Sequence, residues 1–177
     1  MLLLQFLHLT NPYFLLTAGF GGYTVEKMIG RAMKKKFIVG TVSLILLTGC
    51  TGSMPDLGIN NGELTPCPKT PNCVNSQAIS EKNYIRPIRY AGTQQEARAR
   101  LLQILESEKR TKILTAKKNY IRAEFKSALF RFVDDVEFYF PKKQTGEVII
   151  HIRSASRIGY SDLGANRKRI ERIRSKF

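Results

Sequence analysis

Between Met33 and Cys50 the chain reads MKKKFIVGTVSLILLTGC: three lysines, Lys34, Lys35 and Lys36, an eleven-residue apolar run from Phe37 to Leu47, and small residues closing on a cysteine. A charged leader, a short apolar stretch and a small-residue end form the layout of an export signal. The run is too short to cross a bilayer, which takes about 20 apolar residues. Removing such a signal ahead of Cys50 leaves 128 of the 177 residues, 50–177, to build the fold. That is enough for one ordinary domain and too few for two.

The closing residues Leu47-Thr48-Gly49-Cys50 resemble the lipobox of bacterial lipoproteins. The resemblance implies diacylglyceryl attachment to Cys50, cleavage before it, acylation of the new amino terminus and an exported, membrane-anchored protein of the cell envelope. By the habit of lipoproteins, the resemblance also implies, with Thr51 in place of aspartate after the cysteine, the periplasmic face of an outer membrane in a cell that has one. Residues 1–32 are also apolar in part, yet an export signal occupies only about the first 15–30 residues. Counted from Met1, Cys50 lies too deep, whereas from Met33 it follows 17 residues. Met33 therefore reads as the start, with Met28 second, and residues 1–32 read as an upstream extension, broken by Asn11-Pro12 and by Gly19, Gly21 and Gly22. A membrane span there is the alternative.

Residues 33–49 are then the signal, 50–64 a Gly-, Asn- and Pro-containing flexible tether, and 65–177 a single domain. From Cys50 onward, 24 Lys plus Arg stand against 13 Asp plus Glu, a surplus of 11. Such a surplus favours anionic lipid head groups, cell-surface polyanions or nucleic acid, and an envelope protein is a further candidate partner. Nucleic acid is the weaker reading, because no recognition-helix, zinc-finger or RNP-type string is present. With Cys50 assigned to lipid, one cysteine pair remains, Cys67 and Cys73 in TPCPKTPNCVNS, and in an exported chain its expected use is a disulfide. A structural zinc needs four convergent ligands, and the histidines are only His8 and His151. No cofactor is implied.

Hydrophobic patterning places the elements. Tyr84 to Tyr90 reads as a strand, at an edge because of Pro87. Thr93-Gln94-Gln95-Glu96 has capping-box form, and a helix follows to about Lys109 with Ala97, Leu101, Ile104 and Leu105 on one stripe. Lys109 and Arg110 complement the negative end of its dipole. Lys112–Ala116, Tyr120–Lys126, Arg131–Phe140 and Glu147–Ser156 read as four antiparallel strands on short links. A final helix spans Asn166–Phe177, with Ile170, Ile173 and Phe177 inward and six basic residues outward, Arg167, Lys168, Arg169, Arg172, Arg174 and Lys176. The order strand, helix, four strands, helix gives an α+β fold: an antiparallel four- to five-stranded sheet with two helices packed on one face.

The alternation leaves Arg122, Glu124, Asp135, Glu137, Tyr139, His151 and Arg153 on the other face of the sheet, where a solvated set of cross-strand pairs is expected. Asp134 is the exception. It falls between Phe132 and Val136 on the apolar face, so either a bulge turns it out or it needs a partner, with Arg131, Arg153 and Arg157 available.

The strings CPKTPNCVNS, AEFKSALFRFVDDVEFYF and RSASRIGYSDLGANRKRIERIR together resemble the domain-of-unknown-function 1499 family, over about Cys67 to Arg174. The resemblance implies exported or membrane-associated proteins of bacteria and of photosynthetic organisms, and no particular activity.

Function is sought at residues 153–167, which run from a strand end through a turn into a helix start. Arg153, Arg157, Ser161, Asn166 and Arg167 are the candidate site for a small carboxylate- or phosphate-bearing ligand, held by arginines and by the free amides of a helix start. The competing structural reading has Asp162 or Asn166 capping the helix and the arginines paired with Asp134 and Asp135. A hydrolase would need His151 as base, Ser154, Ser156 or Ser161 as nucleophile, and Asp135 or Asp162 to orient the imidazole. Neither a G-x-S-x-G elbow nor an HExxH string supports it.

Overall fold

The structure is a computed structural model that describes residues 52–142 and 146–177. Residues 1–32, expected to be an upstream extension, residues 33–49, expected to be a signal, and Cys50, expected to accept lipid, lie outside the described residues. The elements, in order, are β1 (Ile59–Asn60), β2 (Glu63–Leu64), β3 (Cys73–Asn75), β4 (Ile88–Tyr90), α1 (Gln94–Ser107), β5 (Thr111–Lys117), β6 (Tyr120–Lys126), β7 (Val133–Tyr139), β8 (Val148–Ser156) and α2 (Ala165–Arg174). The fold is α+β, as the patterning requires.

Local chemistry sets the boundaries. The Thr93 hydroxyl accepts the Glu96 amide at 3.2 Å and the Glu96 carboxylate accepts the Thr93 amide at 2.8 Å, the reciprocal box that opens α1. The helix stops at Ser107, earlier than Lys109, so no basic residue occupies its last turn. Arg110 instead has φ 58° and donates to the Lys126 carbonyl.

The main sheet is antiparallel and six-stranded, in the order β5, β6, β7, β8, with β3 and β4 both lying along the outer side of β8. β3 covers the carboxyl-terminal half of β8 (Cys73 opposite Ala155) and β4 its amino-terminal half (Tyr90 opposite Val148). Pro87 precedes β4 on this edge, where a missing amide costs no ladder bond. A bulge at Leu114 shifts the β5–β6 register.

On one face, Ile121, Ala123, Phe125, Val136, Phe138, Ile150 and Ile152 pack against Ala97, Leu101 and Leu105 of α1 and Ile170 and Ile173 of α2. Phe177 lies past the end of α2, its ring edge-on to Tyr90 with centroids 6.0 Å apart.

The other face departs from expectation, because it is not solvated. Asp135, Glu137, Arg122, Arg153 and Glu124 are all buried, and Glu137 is fully so. The cover is the segment read as a flexible tether. Within residues 52–64, β1 and β2 form a hairpin whose Leu64 packs with Ile59, Tyr120 and Tyr139, and the Pro55 carbonyl accepts from Arg122 at 3.2 Å. Ordered chain therefore begins ahead of Thr65. The hairpin turn is Asn61-Gly62, with φ 51° and 84°, the two left-handed residues that a tight two-residue hairpin demands. Gln77 fastens the hairpin, its amide oxygen accepting the Leu64 N–H at 2.9 Å and its amide nitrogen donating to the Gly62 carbonyl at 3.0 Å.

Candidate functional site

Under the hairpin, strands β6, β7 and β8 align three carboxylates with three guanidinium groups. Arg122 donates to Asp135 at 2.7 Å. Arg157, just past the end of β8, bridges Asp135 (2.7 Å through Nε) and Glu124. Arg153 reaches Glu137 at 3.1 Å, and the Tyr120 hydroxyl donates to the same carboxylate at 2.7 Å. The charges balance, which is how a buried polar layer becomes tolerable.

Burial pushes Asp135 upward, but hydrogen bonds from Arg157 and Arg122 outweigh it and hold the carboxyl below its ordinary range. Glu137 goes the other way: burial raises it, and the Tyr120 hydroxyl and Arg153 do not compensate. Tyr120 is raised by burial and by the neighbouring Glu137 charge, and Arg157 is raised by its bond to Asp135. Within this layer Arg153 Nε is buried without an acceptor.

Asp134 sits on the helical side, as strict alternation places it, and no bulge turns it out. Its partner is none of the three arginines considered from sequence. Arg169 of α2 donates to it at 2.5 Å, also bonds Ser154 and Asn166, and lies 4.9 Å over the Phe125 ring. Arg169 therefore belongs to the interior and not to the outer basic face. Four of the other five basic residues there are engaged too: Arg172 and Lys176 with Glu108, Arg174 with Glu171, and Arg167 with the carbonyls of Lys82 and Tyr84.

The five residues expected to hold an anion are not brought together. Arg153 and Arg157 lie under the hairpin, Asn166 joins the Asp134 network on the opposite side of the sheet, and Arg167 turns toward residues 82–84. Asn166 accepts from Ser154 at 2.5 Å and donates to the Asn72 carbonyl at 2.9 Å. The amides at the start of α2 are met by Asp162, which accepts from Gly164 at 3.0 Å and from Asn166 at 2.7 Å. What does exist there is a cleft of about 210 Å³ lined in part by Phe132, Asp134, Ser156, Ile158, Ser161 and Asp162. Its polar lining is hydroxyl and carboxylate.

His151 faces the hairpin side, its ring stacked on Tyr139, while Ser154 and Ser156 face α2. The serine that meets His151 is Ser76, 3.2 Å from Nδ1, a residue the sequence gave no reason to select. The Ser76 hydroxyl already accepts the Ile152 amide at 2.9 Å, so it ties the β3 edge to β8. Burial lowers the His151 pKa. Asp135, the proposed orienting acid, is taken by Arg122 and Arg157. Cys67 and Cys73 form the expected disulfide, with Cα atoms 5.7 Å apart. Among the described residues no cluster of three or more His, Cys, Asp or Glu is placed to hold a metal ion.

A single antiparallel sheet, with helices over its apolar face and a hairpin over a neutralised ionic face, defines a small three-layer α+β domain. Residues 63–177 match the model of a family described as protein of unknown function (DUF1499), and the chain belongs to that family. A search of curated proteins returns no match.

Proposed function

We propose that the chain is a lipid-anchored protein of the bacterial cell envelope that acts as a binding or structural module. The observation that carries this reading is the Met33–Cys50 string, with its charged leader, short apolar run and terminal Leu-Thr-Gly-Cys. The Cys67–Cys73 disulfide supports it, since such bonds persist in exported proteins. The anchor is diacylglyceryl and acyl chains on Cys50, at the periplasmic face of an outer membrane where the cell has one.

The cleft at the start of α2 is the small-ligand site nearest the residues the sequence singles out. Its hydroxyls, with the apolar wall of Phe132 and Ile158, suit a polar uncharged group better than an anion, because the arginines an anion needs are committed elsewhere. Hydrolysis by His151 and a serine is the alternative, and among the described residues the serine in hydrogen-bond reach is Ser76.

Intact mass of the native protein taken from membranes, with and without reduction, tests the anchor. The expected mass is residues 50–177 plus three acyl chains, with a gain of about two daltons on reduction for one disulfide. The mass of the unprocessed 177 residues would overturn the lipoprotein reading.

A further inference from the structure

Eight large hydrophobic side chains are exposed among the described residues, and five of them lie on two loops: Leu129, Phe130 and Phe132 between β6 and β7, and Tyr160 and Leu163 between β8 and α2. Scattered exposed apolar residues are ordinary; a concentration of this kind marks an interaction surface. Leu163 is 88% exposed and Leu129 79%. The Phe130 and Phe132 rings stack on each other, centroids 5.5 Å apart, instead of turning into the core. Arg131 and Leu163 both hold positive φ, 55° and 53°, so the backbone adopts a sparsely populated conformation in each loop.

The strand register puts both loops at one end of the sheet. Lys126 faces Val133, Asp134 faces Ser156, and the Arg157 amide donates to the Val133 carbonyl at 3.0 Å. The disulfide-closed loop arrives at the same end, where the Asn72 side chain donates to the Gly159 carbonyl at 2.7 Å.

The described chain also begins there. Gly52 lies against the second loop so closely that a Cβ on it would fall 2.9 Å from both Arg157 Cβ and Ile158 Cγ2. Gly52 is two residues from Cys50 in the sequence, and two residues of extended chain span at most about 7 Å. With residues 52–64 packed as a layer of the fold, little free tether is left to separate the domain from its anchor.

We propose that this end is a membrane-docking surface: the tips bearing Leu129, Phe130, Tyr160 and Leu163 enter the outer part of the same bilayer that holds the Cys50 acyl chains. The proposal rests on the lipid-anchor reading for its orientation. Bilayer, and not a protein partner, is the occupant because the described chain begins at this end, two residues after the cysteine that the anchor reading acylates. The composition of the tips fits an interface as well, aromatic rings and leucines with the basic residues Lys126 and Arg131 at and beside the first loop and Lys69 in the disulfide-closed loop.

The chain contains no tryptophan, so one introduced residue reports its own surroundings. The full-length protein carrying Phe130→Trp, Leu163→Trp or, as a control on the edge excursion away from the loops, Ile79→Trp is purified from membranes. Each is reconstituted into vesicles of phosphatidylglycerol and phosphatidylethanolamine. Phe130→Trp and Leu163→Trp are expected to shift to the blue and to be quenched by brominated acyl chains, while Ile79→Trp keeps the emission of a residue in water. Protein that floats with the vesicles while all three tryptophans stay in water overturns the docking surface and leaves the anchor standing. If mass spectrometry finds no acyl chains, the unacylated protein is mixed with the same vesicles. Quenching at the tips then still supports the surface, and its absence overturns it.

Discussion

Arg157 holds two buried carboxylates at once, Asp135 and Glu124, and its side chain is only 6% exposed. Arg157→Ala leaves both acids without that cation in a buried layer, a loss of about 3–5 kcal/mol. Arg167→Ala removes only exposed bonds to two carbonyls and should cost at most about 1 kcal/mol. Urea denaturation of the two variants separates them; equal effects would mean that the ionic layer contributes nothing. His151 gives a pH signature. Burial holds its folded-state pKa below the ordinary 6.5, so the unfolded chain takes up the proton first as pH falls. Its stability contribution is therefore complete above 6.5 and is lost as pH drops through the folded value. His151→Phe keeps a ring against Tyr139 and should flatten the difference in melting temperature between about pH 7 and pH 5 relative to the parent. Glu137, raised by burial, contributes the opposite slope from 4.5 upward, but it is present in both proteins and cancels in the comparison. At this scale the sequence was half legible. That Asp134 needs a partner follows from alternation alone, yet the partner came from α2, where Asn166, Arg169, Ile170 and Ile173 form one buried stripe at i, i+3, i+4 and i+7. Counting only apolar residues hid the two polar members.

Among the elements, α1 was the most legible, because capping box and stripe both act within one segment and need no knowledge of the rest of the chain. The strands β6, β7 and β8 followed from alternation, which tells which residues share a face but not what lies over that face. The covering hairpin escaped because its strands are two residues each, too short for any period, and because its Gly and Asn content matches that of a linker. Asn61-Gly62 was the available signal, a dipeptide suited to two consecutive positive φ angles. A chain beginning at Thr65 should accordingly be less stable than one beginning at Gly52. Leu64, 2% exposed, contributes about 1.5–3 kcal/mol by its burial, and the ionic layer it helps to cover would be opened to water. Denaturant midpoints decide this, and equal midpoints would show that the hairpin rests on the sheet without stabilising it.

For the whole molecule, charge is the quantity that sequence states outright and structure redistributes. The chain carries 29 Lys plus Arg against 14 Asp plus Glu, and the buried pairs consume Glu124, Asp134, Asp135 and Glu137 in the interior. The same pairs consume Arg122, Arg153, Arg157 and Arg169, one cation for each acid, so these pairs are neutral and the whole formal surplus of 15 stays outside them. Along the open edge, β5 presents Lys112 and Lys117, followed by Lys118, which guards that edge against pairing with another sheet but sets like charges close together. Arg98 adds to the crowd by donating to the carbonyls of Ala116 and Lys117. Folding concentrates this charge, and the resulting self-repulsion opposes the compact state. Salt screens exposed charges over a Debye length of about 10 Å at 0.1 M and barely touches buried pairs. Raising sodium chloride from about 0.01 M to about 0.3 M should therefore raise the melting temperature, since repulsion is screened while the ionic layer under the hairpin is not. A falling melting temperature would mean that exposed pairs such as Arg89–Glu147 and Arg172–Glu108 outweigh the cationic surface.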